Sequence, residues 1–258
     1  MQVWSVANQK GGVGKTTSVV TLAGLLAEVG YSVLIVDLDP HGSMTSYFRL
    51  DPDEIELSAF DLFEGALAEK PDAAPLIVAT DQQNISLLPA STALATLERR
   101  AVGKEGLGLQ VAKALRPVQD RFDYVLIDSP PVLGVLMVNA LAACNQLIVP
   151  VQTEFLALKG LERMVRTIEM INRARRNKLD FTILPTFYDQ RTQASVNCLR
   201  ELHTNYPDNI ANTVIPSDTK FRNASMQGIV PSALDAGGRG VNAYAKLLRM
   251  LLDKGRQS

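Results

Sequence analysis

The stretch Asn8-Gln9-Lys10-Gly11-Gly12-Val13-Gly14-Lys15-Thr16-Thr17 decides the fold of this chain. A short apolar run, Val3 to Ala7, precedes it and a helical apolar pattern from Val19 to Leu26 follows it, which predicts a strand, a loop and a helix. Three glycines let the loop turn its N–H groups inward, and the helix N-terminus adds the positive end of its dipole. The stretch is therefore predicted to bind a polyphosphate, with Lys15 on the terminal phosphates and the Thr16 hydroxyl on a magnesium ion.

Two further apolar runs end in aspartates. Val33 to Val36 closes on Asp37 and Asp39, and Tyr124 to Ile127 closes on Asp128. Because ligands collect at the carboxyl ends of parallel strands, we expect these carboxylates beside the glycine-rich loop, where they can orient water and magnesium. Taken alone, Asp37 and Asp39 are equally compatible with turn or helix-capping chemistry. The presence of the glycine-rich loop in the same chain favours the site.

The glycine-rich loop resembles the deviant Walker A motif of the ParA/MinD group of P-loop ATPases. It has Gln9 where the strict P-loop pattern has glycine, and it carries a second lysine, Lys10. The resemblance implies ATP and Mg2+ as cofactors and a homodimer that sandwiches the nucleotide, with Lys10 reaching the partner's phosphates. The phosphate-binding residues it implies are Gly11, Gly12, Val13, Gly14, Lys15, Thr16 and Thr17.

The two aspartate segments resemble two further motifs of that family. The segment from Asp37 to Ser43 has His41 where the family usually has glutamine, and the segment after Asp128 has Ser129 where cysteine or threonine is frequent. By this resemblance the metal residues are Thr16, Asp37 and Asp128. The implied catalytic residues are Lys10, Lys15 and Asp39, of which Asp39 positions the hydrolytic water.

The carboxyl-terminal third resembles the family's base-binding side. The implied residues are Asp189, in an Asp-x-Arg-Thr segment, together with Pro216 and Asp218. Relatives often have an arginine after the proline that helps to bind DNA, whereas this chain has Ser217 and Asp218. An acid facing a phosphate backbone opposes counterion release, which disfavours DNA binding.

Apolar, β-branched runs separated by helical segments indicate a parallel sheet covered on both faces. We therefore expect an α/β fold, a doubly wound, mostly parallel sheet of about seven or eight strands flanked by helices, as in P-loop NTPases. Thr213 to Pro216 is predicted as the last strand, and helices are predicted around Phe60 to Leu67, Leu94 to Arg99 and Leu107 to Val118. With 258 residues and 47% hydrophobic content, residues 1–258 are expected to form a single P-loop ATPase domain.

Composition narrows the class of protein. A net charge of -1 gives no global basic field, so a nucleic-acid contact would need a local patch. The two cysteines, Cys144 and Cys198, show no metal-ligand spacing, and no apolar run approaches the length of a membrane span. We expect a cytoplasmic protein without stable membrane insertion, at a cell pole or on the nucleoid.

Three features keep two interpretations each. The basic cluster between Arg163 and Lys178 fits a solvated helix end or a DNA or partner patch. Glu154 fits a dimer interface or a first-turn helix acid. The apolar pattern from Val241 to Asp253 fits a core-facing helix or a membrane-surface helix.

The resemblance spans Val3 to about Leu252 and implies a switch: ATP favours a dimer, and slow Mg-dependent hydrolysis dissolves it. The switch is expected to position a protein assembly, such as a chemotaxis array or polar organelle, with a protein cargo or adaptor that stimulates hydrolysis. The alternative is chromosome or plasmid partitioning by non-specific DNA binding. A nitrogenase-type reductase, an amidotransferring ligase and a membrane-bound MinD-like protein are further classes of the same superfamily.

Overall fold

The computed structural model describes residues 1–64, 68–100 and 107–255. In these residues one seven-stranded sheet has the order β3-β4-β2-β5-β1-β6-β7, and every neighbouring pair is parallel except β3 with β4. The strands are β1 Gln2–Val6, β2 Val33–Asp37, β3 Val78–Ala79, β4 Ile85–Leu88, β5 Tyr124–Asp128, β6 Gln146–Gln152 and β7 Asp180–Thr186.

Successive side chains of a strand point to opposite faces of the sheet, and both faces are apolar here. Helices therefore cover both faces. The α-helices are α1 Lys15–Glu28, α2 Ser43–Tyr47, α3 Leu94–Arg100, α4 Gln110–Ala114, α5 Val135–Ala143, α6 Phe155–Ala174, α7 Gln193–Asn205, α8 Lys220–Gln227, α9 Pro231–Leu234 and α10 Arg239–Gly255. Val33 and Ile35 pack with α1 and α10 in one apolar layer, while Leu34 and Val36 belong to a second layer with α5 and α6. The doubly wound α/β prediction is confirmed.

The interpretation of residues 241–253 as a core-facing helix is also confirmed. Tyr244, Leu247 and Leu251 of α10 are buried against α1 and the sheet. This helix therefore has its apolar face covered by its own chain, which removes the basis for a membrane-surface helix. Within the described ranges, no helix combines the length and the apolar character that crossing a membrane would need.

The predicted last strand, Thr213 to Pro216, is wrong. Residues 209–216 run along the outer edge of β7 as an irregular segment with isolated bridges at Ile210 and Pro216. The Ile215 N–H donates to the Pro185 carbonyl at 2.8 Å, but Pro216 has no N–H to continue a ladder. The segment covers the edge of β7 without becoming a strand.

The segment before β4 also differs from its prediction. The helix predicted around Phe60 is a short 3-10 helix, Ala59–Phe63, while its continuation to Leu67 lies outside the described residues. The two-residue strand β3, antiparallel to β4, was not predicted. Two residues are too few for an alternating pattern to be visible in a sequence.

Strand register brings the two acidic segments together. Asp37, the last residue of β2, is the register partner of Asp128, the last residue of β5, and Asp128 is also paired with Val6 at the end of β1. The glycine-rich loop leaves β1 at this same edge. Three neighbouring parallel strands therefore deliver the loop and both aspartates to one place, as expected from the sequence.

Candidate nucleotide-binding site

The glycine-rich loop turns through two left-handed glycines. Gly12 has a φ of 72° and Gly14 a φ of 91°, conformations in which a side chain is strained. Gly14 is the N-cap of α1, and the first intrahelical bond runs from the Ser18 N–H to the Gly14 carbonyl at 2.9 Å. The amides of the first turn of α1 have no acceptor within the helix, so they and the helix dipole are available to an anion.

Buried side chains hold this loop in shape. Thr186 donates to the Val13 carbonyl at 2.9 Å, and the Ser18 hydroxyl donates to the Gly14 carbonyl at 2.7 Å. The Tyr244 hydroxyl of α10 lies 2.8 Å from the same Ser18 oxygen. The loop is thus preorganised by β7 and by the last helix, both distant from it in sequence.

Thr16 and Asp128 form the part of the site that suits a cation. The Thr16 hydroxyl donates to Asp128 Oδ2 at 2.5 Å, while Asp128 Oδ1 is buried and has no hydrogen-bond partner in the described chain. Burial raises the pKa of Asp128 to about 8, and the nearby charge of Asp37 adds to this effect. An unpaired buried carboxylate oxygen next to a hydroxyl fits the oxygen-rich, partly hydrated shell of Mg2+.

Asp37 lies beside Asp128 and has hydrogen-bond donors of its own. Its Oδ2 accepts the N–H and the hydroxyl of Thr45, both at 2.8 Å, and its Oδ1 accepts the Asp39 N–H at 3.1 Å. Burial raises the pKa of Asp37 to about 6, against the lowering effect of these bonds. Since both oxygens already have protein donors, Asp37 suits indirect support of a metal shell. Groups of three or more His, Cys, Asp or Glu that could enclose a metal are absent from the described residues.

Asp39 lies near both buried aspartates, Asp37 and Asp128, and is itself partly exposed. Its Oδ1 accepts the His41 N–H at 3.0 Å and contacts His41 Nδ1 at 2.8 Å. The Asp39 side chain is 14% exposed, whereas the His41 side chain is 79% exposed. Asp39 is therefore reachable from solvent while one of its two oxygens is held by the following turn.

The Lys10 side chain makes its contacts outside the glycine-rich loop. Its ammonium forms an ion pair with Glu154 and lies 3.4 Å from Gln152 Oε1, so the end of β6 and the start of α6 hold it. Glu154 occupies the N-cap position of α6 but makes no side-chain cap bond there. Glu154 precedes the first turn of α6, so its interpretation as a first-turn helix acid is wrong.

A cavity of about 620 Å³ adjoins the loop, a volume typical of small-molecule sites. Gly14, Thr16 and Thr17 line it, together with Pro216 and Asp218. Asp189 instead lines a neighbouring cavity of about 860 Å³ that shares Pro216. The hydrogen bonds from the Arg191 guanidinium hold the pKa of the Asp189 carboxyl at about 2.

Comparison with known proteins gives the family. A model described as an AAA domain matches residues 1–181. The chain is 36% identical over 251 residues to the Chromosome-partitioning ATPase Soj of Treponema pallidum (strain Nichols), covering 97% of this chain and 96% of that one. It is 32% identical to the Sporulation initiation inhibitor protein Soj of Bacillus subtilis (strain 168), covering 98% and 99% of the two chains.

The chain belongs to the ParA/Soj family of P-loop ATPases.

Two solved structures have folds similar to that of this ParA/Soj chain. Cobyrinic acid a,c-diamide synthase from Mycobacterium smegmatis, with a bound ATP analog and magnesium, is 33% identical with a TM-score of 0.84, covering 99% of this chain and 96% of that one. A complex of Cyanothece McdA with ATP is 20% identical with a TM-score of 0.86, covering 98% and 96%. The second likeness supports the fold alone.

The ParA/Soj motifs identified in the sequence converge on one edge of the sheet, but the walls of the 620 Å³ cavity were not predicted. Phe187, Phe221 and Tyr244 line it, and each comes from a different element. Phe187 is 41% exposed and has a φ of 52°, an unusual backbone conformation for a bulky residue. Single aromatic residues in three distant segments carry no periodic signal, so the sequence alone could not have identified them.

Proposed function

We propose that this protein binds ATP with Mg2+, hydrolyses the ATP slowly to ADP and phosphate, and thereby switches between monomer and homodimer. The observation that carries the proposal is the Thr16–Asp128 pair, with its unpartnered buried oxygen, beside the glycine-rich loop. A divalent cation there would relieve the cost of burying Asp128 and Asp37 together. A 33% identical relative with a bound ATP analog and magnesium supports this assignment.

The residues around the loop divide the catalytic work between them. ATP supplies the phosphoryl group that passes to water, and Mg2+ neutralises charge on the phosphates. Lys15 and the first-turn amides of α1 hold the terminal phosphates. Asp39 orients the attacking water, and Asp37 fixes Asp39 by accepting its N–H. Positioning and charge neutralisation, without a covalent enzyme intermediate, fit a slow hydrolase.

The position of Lys10 supports the dimer. An ammonium held outside its own loop by Glu154 can be redirected to the phosphates of a second copy. Phe155 and Leu156, which follow Glu154 directly, are 71% and 68% exposed. Large exposed apolar side chains next to a charged group are typical of the surface through which two copies associate.

Molar mass in solution with ADP and with ATP tests the switch. Wild type should be mostly monomeric with ADP, and Asp39→Ala, which keeps the phosphate-binding loop, should accumulate as dimer with ATP. Lys10→Ala is the matched control, which should bind ATP yet remain monomeric. If the mass of Asp39→Ala stays unchanged while ATP binds, the proposed role of Lys10 is wrong, and a monomeric or constitutively oligomeric ATPase replaces the proposed switch.

We favour a protein assembly as the cargo, such as a chemotaxis array or a polar organelle, with a protein adaptor that stimulates hydrolysis in the cytoplasm. Two cationic side chains already bind partners within the fold. Arg175 donates to the carbonyls of Leu141, Ala142 and Cys144 at the end of α5, and Lys220 pairs with Asp235. By the family resemblance, an arginine that helps to bind DNA often follows Pro216, where this chain has Ser217 and Asp218. These features weaken the basic surface expected of a DNA-coating protein.

Partitioning of DNA is the second candidate function, and one surface favours it. Arg239, Lys246 and Arg249 are exposed and share one face of α10, at spacings of seven and three residues. None of the three forms an ion pair with an acid in the described ranges. Relatives named as chromosome-partitioning proteins are 32–36% identical to this chain.

Retention of a random DNA duplex at low salt separates the two candidates. DNA partitioning predicts retention with ATP and not with ADP, and the slope of affinity against salt should fall by about one in Lys246→Ala and in Arg249→Ala, each of which removes one cation from the phosphate backbone. Lys113→Ala, an exposed cation on α4 outside both basic groups, is the control. If the protein with ATP does not retain the duplex at low salt, DNA partitioning is excluded as its function.

The amidotransferring class is disfavoured by the thiols of this chain. Burial raises the pKa of Cys144 to about 12 and that of Cys198 to about 11. Glutamine hydrolysis by a cysteine requires an accessible thiolate. Neither of the two cysteines meets that condition, so a partitioning or positioning ATPase remains the better assignment.

A further inference from the structure

His41 makes a short side-chain contact to the Asp39 carboxylate. His41 Nδ1 lies 2.8 Å from Asp39 Oδ1, and the His41 N–H donates to the same oxygen at 3.0 Å. The Gly42 N–H donates to the Asp39 carbonyl at 2.8 Å. Asp39 is thus held at its backbone and at one carboxylate oxygen by the two residues of the following turn.

The donors leave the second oxygen of Asp39 free. Because a carboxylate only accepts, the proton of the short contact belongs to His41 Nδ1, and Nε2 is left to the solvent around a largely exposed ring. Asp39 Oδ2 accepts no hydrogen bond from the described chain. A carboxylate restrained through Oδ1 presents Oδ2 in one orientation, which is what a water-orienting group requires.

We infer that His41 is a positioning residue for hydrolysis: its Nδ1–H fixes the Asp39 carboxylate so that Oδ2 faces the attacking water. The inference rests on the proposed role of Asp39. It gives a function to His41, which stands where the family usually has glutamine.

The geometry of the imidazole makes the inference specific. Nδ1 is separated from Cβ by one atom, as is the side-chain nitrogen of asparagine, whereas the glutamine nitrogen is one atom further away. Asparagine at position 41 can therefore repeat the short contact with Asp39, and glutamine cannot repeat it at the same place. The two amides have the same chemistry and differ only in reach.

The experiment compares His41→Ala, His41→Asn and His41→Gln in the full chain. Single-turnover hydrolysis gives the rate, and a fluorescent ATP analogue gives the nucleotide affinity. His41→Ala should lower the rate roughly tenfold, the effect expected when a hydrogen bond to a charged group is removed, with affinity unchanged. His41→Asn should restore the rate to within about twofold of wild type, and His41→Gln should resemble His41→Ala.

His203→Ala is the matched control, since His203 is the other histidine and lies exposed on α7. Equal rates for wild type and His41→Ala, equal rates for His41→Asn and His41→Ala, or parallel changes of rate and affinity would overturn the inference.

Asp39→Ala separates this inference from the proposed function. If Asp39→Ala still hydrolyses ATP at the wild-type rate, the proposed hydrolytic role itself fails. If Asp39→Ala is inactive while all three His41 variants match wild type, only the role of His41 fails. In an Asp39→Ala background, His41→Ala should cause no further loss of rate, because it acts through that carboxylate.

Discussion

Replacing Asp128 with asparagine should stabilise the nucleotide-free, metal-free protein and remove its response to magnesium. Burial and the Asp37 charge raise the pKa of Asp128 from 3.8 to about 8 in the folded state. A carboxyl whose pKa is raised on folding makes its full contribution to the unfolding free energy below pH 3.8. That contribution is lost as the pH rises towards 8. Asparagine keeps the shape and the acceptor for the Thr16 hydroxyl but does not titrate.

The expected magnitude follows from one proton. Between about pH 5 and pH 7.5 the wild type should lose roughly 1.4 kcal/mol of unfolding free energy per pH unit relative to Asp128→Asn. From about pH 5.5 to pH 7.5 the gap should therefore widen by about 3 kcal/mol, or roughly 6–12 °C in Tm for a chain of this size.

Urea unfolding in EDTA at several pH values measures this gap. Asp180→Asn is the control, because it makes the same chemical change at an exposed carboxylate in the first residue of β7, away from the nucleotide site, and it should run parallel to wild type. With ATP present, magnesium should raise the stability of wild type but not of Asp128→Asn. A gap that does not change with pH, or an asparagine variant less stable than wild type at about pH 7.5, would refute the reasoning.

Three further outcomes can be measured. Tyr244→Phe should lower the unfolding free energy by about 1 kcal/mol in urea, because it removes the hydroxyl that meets Ser18 in the core. Arg175→Met should cost about 2 kcal/mol in the same assay by leaving the carbonyls at the end of α5 without donors, whereas Arg173→Met, on the surface, should stay within about 0.5 kcal/mol of wild type. Gly14→Ala should cost about 1–2 kcal/mol, since its φ is 91°, and should abolish binding of a fluorescent ATP analogue.

The convergence of Asp37 and Asp128 could be predicted because it depends only on strand ends. Any two neighbouring parallel strands bring their carboxyl ends to one edge, so an acid after each apolar run is enough. The register pairs these two residues directly. The glycine-rich loop belongs to the same rule, since it follows the strand β1 that pairs with β5.

Contacts between distant segments could not be predicted in this way. Lys10 and Glu154 are 144 residues apart, and neither spacing nor periodicity joins them. The basic cluster of α6 looked uniform in sequence, yet Arg175 caps another helix. Its role depends on where α5 ends in space, which is a property of packing. The false strand at Thr213 to Pro216 has the same origin, because strand propensity needs a partner edge in register.

The two margins of the sheet have a consequence for how copies of this protein meet. On one side β3 exposes only two residues, and on the other the irregular segment 209–216 lies over β7. Long free edges invite backbone pairing between molecules, and that pairing tends to grow into fibres that do not come apart. In the described part of the chain, neither edge of the sheet offers a long strand for backbone pairing. Crowded molecules would therefore associate only through side chains, and such associations can form and dissolve repeatedly.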